Sequence, residues 1–321
     1  MNIHIFERLR EQEFITDSAL QIIREKEKKK LFSLHWELKT ILYLGIVLLT
    51  TGLGILVYKN IDTIGHQVIV AMIAIGCAAC FGYCLKKSPG LSRLKNPVTK
   101  IWPDYILLLG CLLLLILIAY IQFQYNVFGT RLGMATFIPM IILFISAYYF
   151  DHIGVLSMAI TNLAAWAGIT VTPLHILQDN DFSSTSIIYT GMALGAVLLA
   201  VAHLSVLKNI KAHFAFTYKN FGAHGLLISC LAGLFTINYL WFIILAAVCA
   251  YLFITAIREK SFYFIVITLL YAYIGISYMV IELLGNIRDM GSVYLGLIYF
   301  ILSGIFLIRI MMNFNKQFKK I

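Results

Sequence analysis

The sequence predicts an all-α fold: a polytopic transmembrane helix bundle of about ten spans. Both termini are expected in the cytoplasm, with a short cytosolic helical hairpin ahead of the first span. Three observations carry this prediction. Of 321 residues, 61% are hydrophobic and only 12% are charged, about half the charged share of a typical soluble chain. The apolar residues gather in runs long enough to cross a hydrocarbon core of roughly 30 Å. Finally, the basic residues fall mainly between alternate runs, as orientation in a membrane requires.

Residues 1–38 form the first predicted unit. Ile5, Phe6 and Leu9 recur at the spacing of one helix face, and Ala19, Leu20 and Ile23 continue such a face after a turn. Thr16 is a suitable N-cap, with Asp17 adding negative charge to the first turn of the next helix. Phe14 and Ile15 sit in the turn, where they can pin one helix on the other. Phe14, Ile15 and Ile23 are therefore the candidate contacts for a cytosolic or membrane protein partner. The run REKEKKK that follows suits the anionic inner leaflet. This preamble lacks an apolar core with a small-residue cleavage site, so the first span is expected to act as the targeting signal.

Ten spans follow in the predicted transmembrane domain, 39–312. They are 40–58, 66–85, 104–123, 131–149, 153–172, 185–207, 221–237, 239–257, 261–283 and 291–311. The connections DHI and REK are so short that they predict antiparallel hairpins. Of the 25 Lys and Arg residues, three fall in segments predicted outside, namely Lys59, Arg131 and Arg288, and the other 22 fall inside. That asymmetry predicts cytoplasmic termini in a bacterial inner membrane. It also accounts for the net charge of +10 without nucleic acid. A basic cytosolic tail, 313–321, is expected to close the chain. The longest outer loop, 173–186, holds Asp179 and Asp181, which read as a solvated loop, since Ca²⁺ takes roughly six to eight oxygen ligands.

Candidate chemistry is sparse. All six cysteines lie in apolar runs, so Cys77 and Cys80, despite their redox-motif spacing, read as packing residues. Charged residues inside a bilayer are costly and mark function, yet none falls near a predicted midplane. Asp104, Arg131, Glu282 and Arg309 all lie toward span ends. The pattern weighs against an intramembrane protease or a carrier coupled through a central carboxylate. Asn162 is the strongest midplane candidate, with Thr161, Trp166 and Thr170 as its companions. The i, i+4, i+8 spacing of Asn162, Trp166 and Thr170 places them on one face, either lining a neutral polar cavity or bonding between helices. Five histidines gather near the predicted inner face, His203 and His224 among them, but without metal-site spacing. No cofactor, metal site or catalytic motif is expected, and enzymatic activity has no positive signal. Gly191 and Gly195 predict a close helix–helix approach. The repeated YKN at 58–60 and 218–220 would suit two inverted five-helix halves.

Phe14-Ile15-Thr16, then Gly45, Gly52 and Gly54 in the first span, then Asn60 in YKNIDTIG resemble the bacterial domain-of-unknown-function family 2157. The resemblance covers about residues 5–85. It departs at Glu13 and Ile61, where the family usually has Gly and Trp, and at Gly65, where Pro is frequent nearby. It implies a multi-span membrane protein with a cytosolic N-terminal element, and it brings no activity with it. Two functions follow as expectations. The first is a structural, regulatory or complex-forming membrane component that contacts a partner through residues 1–38. The alternative is a carrier of a small or lipid-like substrate through the cavity at Asn162. In either case the lipid bilayer is the first partner.

Overall fold

A computed structural model describes residues 34–59, 65–88, 102–129, 132–171, 184–287 and 290–319, together with 10, 14–16, 21 and 90–92. Helices account for nearly all of them. In lipid every backbone N–H and C=O must be satisfied within the chain, and an apolar run meets that demand by coiling on itself.

The chain divides into two units, Met1–Ile64 and Gly65–Ile321. In the first, Arg10 and Gln21 are helical, while Phe14 and Ile15 stand in a bend. Phe14 is 75% exposed. Ile23 and most of the expected hairpin lie outside the described residues. Helix α1 spans Leu34–Lys59, with Thr40–Leu56 as its apolar stretch. Thr50 and Thr51 do not interrupt it, because their hydroxyls donate to the carbonyls of Ile46 and Val47 one turn back.

Nine α-helices are described in the second unit. They are α2 His66–Lys87, α3 Trp102–Tyr125, α4 Leu132–Phe150, α5 Ile153–Val171, α6 Thr185–Leu207, α7 Ala215–Thr236, α8 Trp241–Arg258, α9 Phe262–Gly285 and α10 Met290–Lys319. A 3₁₀ turn, Ala212–Phe214, precedes α7. All ten expected spans coincide with helices, and eight of these are long and apolar enough to cross a membrane. The other two are α1, with its shorter apolar stretch, and α7. Helix α7 carries Lys219, Asn220 and His224 in its first half, yet it buries more of its residues than any other described helix. Residues 313–319, expected as a tail, continue α10 to Lys319. There Phe314 stacks edge-on against Phe253 of α8 at 5.6 Å.

Sequential helices pair as hairpins: α2 with α3, α4 with α5, α6 with α7, and α8 with α9. Two cores result. One joins α3, α4 and α5 through residues such as Cys111, Leu143 and Leu156, and the other joins α7, α8 and α9 through Leu227, Leu245 and Ile265. The α6–α7 hairpin contributes to both, with Leu198 and Tyr218 in the first core and Ile188 and Leu234 in the second. Its two helices touch backbone to backbone. A Cβ at Gly195 would stand 2.7 Å from the Leu226 nitrogen, and one at Gly222 would stand 2.9 Å from the Gly195 carbonyl.

The turns after α4, α6 and α8 share one geometry. Asp151, Asn209 and Lys260 adopt positive φ angles of 59°, 50° and 53°. In each case the next residue's N–H reaches back five positions: His152 to Ala147, Ile210 to Ser205, and Ser261 to Ala256. This is the Schellman closure of a helix C-terminus. His152 then caps α5, its Nδ1 accepting the Val155 N–H at 3.1 Å. One residue thus ends one helix and begins the next, which explains how DHI closes a hairpin.

Candidate functional site

Helices α3, α4 and α5 enclose a groove of ≈ 590 Å³, with Asn162 in its wall. Leu115 and Ala119 of α3 supply apolar surface, and Ala135, Thr136 and Pro139 of α4 face them. Pro139 lies inside α4. Proline has no N–H, so the carbonyl of Ala135, four residues back, loses its helical donor. In lipid such a carbonyl is tolerated where a cavity or a neighbour serves it, and here Ala135 lines the groove. Thr136 returns its hydroxyl to the Gly133 carbonyl at 2.9 Å. Asn162 donates weakly to the Met158 carbonyl at 3.5 Å, which leaves most of its carboxamide available to an occupant.

Gln122 closes the end of the groove where α3 runs into α4. Its Nε2 donates to Asn126 Oδ1 at 3.0 Å, and its Oε1 accepts the Phe128 N–H at 2.9 Å. The amide is thereby committed to shaping the connection, where Asn126 and Gly129 have positive φ.

Trp166 and Thr170 lie against α4 beside this groove. A Cβ at Gly133 would approach Thr170 Oγ1 to 3.1 Å and Trp166 to 3.8 Å, and the Trp166 and Phe137 rings are 5.4 Å apart. Thr161 does not join them. It is exposed, and its hydroxyl donates to the Ser157 carbonyl. Bonds between helices are made by other side chains. Thr268 donates to Phe264 of its own helix. Tyrosines tie the helices together instead. Tyr120 meets His66, Tyr148 meets Tyr218, Tyr271 meets His224, and Tyr273 meets Ser303, all within 2.8–3.1 Å.

Reactive groups do not converge. His203 lines one cavity, His224 lines another, and Asp104 lines neither. Among the described residues no group of three or more metal-ligating side chains is assembled. Cys77 donates to the Gly110 carbonyl at 3.5 Å, a packing contact between α2 and α3. Asp179 and Asp181 fall outside the described residues.

A charged cluster that sequence reading missed stands at the α4–α5 turn. Asp151 Oδ1 lies 2.8 Å from Lys211 Nζ and 2.7 Å from His213 Nε2. Asp151 and Lys211 are only 4% and 2% exposed. The left-handed backbones of both residues, φ 59° and 48°, bring the two turns together. The cluster joins the α4–α5 hairpin to the link between α6 and α7. Its signal in the sequence was faint: an acidic and a basic residue in two short turns predicted on the same side.

Fold and site together define a polytopic α-helical membrane protein with a laterally placed, largely neutral groove. Residues 7–156 match the family described as "Predicted membrane protein (DUF2157)", so the likeness extends well beyond the first two spans and takes in the α4–α5 turn. No curated protein and no solved structure matches the chain.

Proposed function

We propose that the protein is a non-catalytic component of the bacterial inner membrane that binds a small or lipid-like substrate in the groove at Asn162. In this reading it crosses the membrane ten times with both ends in the cytoplasm, as the distribution of Lys and Arg favours. The observation that carries the reading is one ≈ 590 Å³ groove lined by both Asn162 and Ala135, the latter four residues before Pro139 in α4, where proline offers no helical donor. A few placed polar groups on apolar walls are what a small-molecule site needs for orientation. Trp166 and Thr170 hold α5 against α4 and set the groove's width. The test is native mass spectrometry of gently extracted protein, comparing the natural chain with Asn162→Leu. A bound small molecule or lipid on the natural chain, lost from the variant, supports the reading. Equal ligand content in both proteins rejects it.

A second reading is favoured by the exposure of Phe14. A large aromatic in a bend between helical positions is a suitable anchor for a partner, and Ile15 and Ile23 would extend the contact. Here residues 1–38 dock a cytosolic or membrane protein, and the spans have a structural role. Comparison of the full chain with residues 39–321 tests it. A co-purifying protein that disappears on truncation, and also on Phe14→Ala, supports docking. A partner retained by both variants excludes it.

A further inference from the structure

A second cavity, of ≈ 450 Å³, lies between one set of ends of α6, α7, α8 and α9. It shares no residue with the Asn162 groove. Leu199, Leu252 and Phe264 supply its apolar depth, while Val206, Phe216 and Tyr251, each more than half exposed, form its lips. It therefore opens on the flank of the bundle. Two basic side chains, Lys219 and His203, stand in its wall. Lys219 pairs with Glu259 and stands 4.7 Å from the centre of the Phe264 ring. Lys208, Arg258 and Lys260 are exposed around the same helix ends, where Glu259 lines the cavity and the Asp151 carboxylate is engaged by Lys211 and His213.

An apolar trough that ends in a cation at the edge of membrane helices has the chemistry of one ligand type, an acyl chain with an anionic head. We propose that this cavity holds an anionic phospholipid from the leaflet at that end. The chain lies against Leu199, Leu252 and Phe264, and the phosphate meets Lys219 and His203. Glu259 is 51% exposed and Lys219 only 12%, so the phosphate can displace the carboxylate, which turns to water while the ammonium stays in place. Surrounding basic residues attract the headgroup. A soluble anion would leave the exposed lips uncovered.

The test uses the full chain reconstituted in vesicles of equal parts phosphatidylglycerol and phosphatidylcholine, followed by extraction and native mass spectrometry. The natural protein is expected to retain phosphatidylglycerol selectively. Lys219→Gln should lower that retention roughly fivefold, the worth of about one basic contact near a membrane surface. Lys219→Arg should keep it, and so should Lys316→Gln, which alters a basic residue outside the cavity. Leu199→Trp and Thr255→Trp, which fill the trough from two different helices, should each remove the bound lipid. Equal retention of the two lipids overturns the proposal. So does unchanged phosphatidylglycerol on Lys219→Gln, or its displacement by millimolar inorganic phosphate alone.

Discussion

Asp151 illustrates how much one residue can carry in this chain. It closes α4 in a left-handed conformation that aspartate tolerates better than most residues, and its carboxylate holds Lys211 and His213. Removing one partner of a buried pair strands the other charge and costs about 3–5 kcal/mol. Lys211→Met should therefore lower the thermal midpoint sharply, and adding Asp151→Asn, which removes the stranded charge and still tolerates the left-handed backbone, should restore part of the loss. The six cysteines are free and lie in helices, so unfolding can be followed with a thiol-reactive dye. If Lys211→Met unfolds with the natural protein, the ion pair contributes nothing. Tyr239, in the α7–α8 connection, offers a pH-dependent counterpart. Its hydroxyl donates to Glu282 Oε1 at 2.9 Å. This bond to the carboxylate, aided by desolvation, raises the phenol above the ordinary tyrosine value near 10. A raised pKa means the bond's contribution is complete below that ordinary value and fades as pH climbs through the higher one. In an ultraviolet difference titration against Tyr239→Phe, this phenolate should appear late, and Glu282→Gln should make it appear earlier. An unchanged titration in the Glu282 variant would remove the carboxylate as the cause.

At the scale of elements, the α6–α7 hairpin decides how the two cores meet. Gly195 and Gly222 let its backbones touch, while Gly191 makes room for the Ser229 hydroxyl. Gly195→Ala places a Cβ against backbone rather than against a flexible side chain, so the helices must part. The expected cost is about 1–3 kcal/mol from overpacking, read as a lower thermal midpoint in the same dye assay. Gly285→Ala, where nothing lies within 4 Å of the added Cβ, should leave the midpoint in place or raise it slightly, because alanine favours a helix more than glycine does. Equal losses in both variants would show that close approach is not what Gly195 provides.

For the whole molecule, orientation is the first matter to establish, because it decides which leaflet supplies the cavity at Lys219, and the Lys and Arg distribution favours the inner one. Charge distribution favours Lys59 outside and Lys316 inside. Lys59→Cys should react with a membrane-impermeant maleimide in intact spheroplasts, and Lys316→Cys only after permeabilisation. The natural cysteines lie in helices and provide the background reaction. The reverse labelling pattern would invert the topology and move the phospholipid cavity to the outer leaflet.

Composition and the length of the apolar runs dictate the helical, membrane-embedded character of the chain, and the reason is local. A run of apolar residues in lipid must satisfy its own backbone, so each run's length and composition are enough to predict a helix. Gly191 and Gly195 announced the α6–α7 contact for a related reason, since their spacing repeats on one helix face. Tertiary structure decided what those helices enclose. Asn162 was legible as a polar residue in an apolar run, but the relation between its groove and Ala135, whose carbonyl Pro139 cannot serve, depends on α3 and α4 packing beside it. Thr161, adjacent in sequence, faces away because consecutive helical residues point about 100° apart. The Asp151–Lys211–His213 cluster and the Lys219–Glu259 pair join residues 60 and 40 positions apart. Contacts at that separation have no periodicity in a single chain, and only the packing of the hairpins brings their charges together.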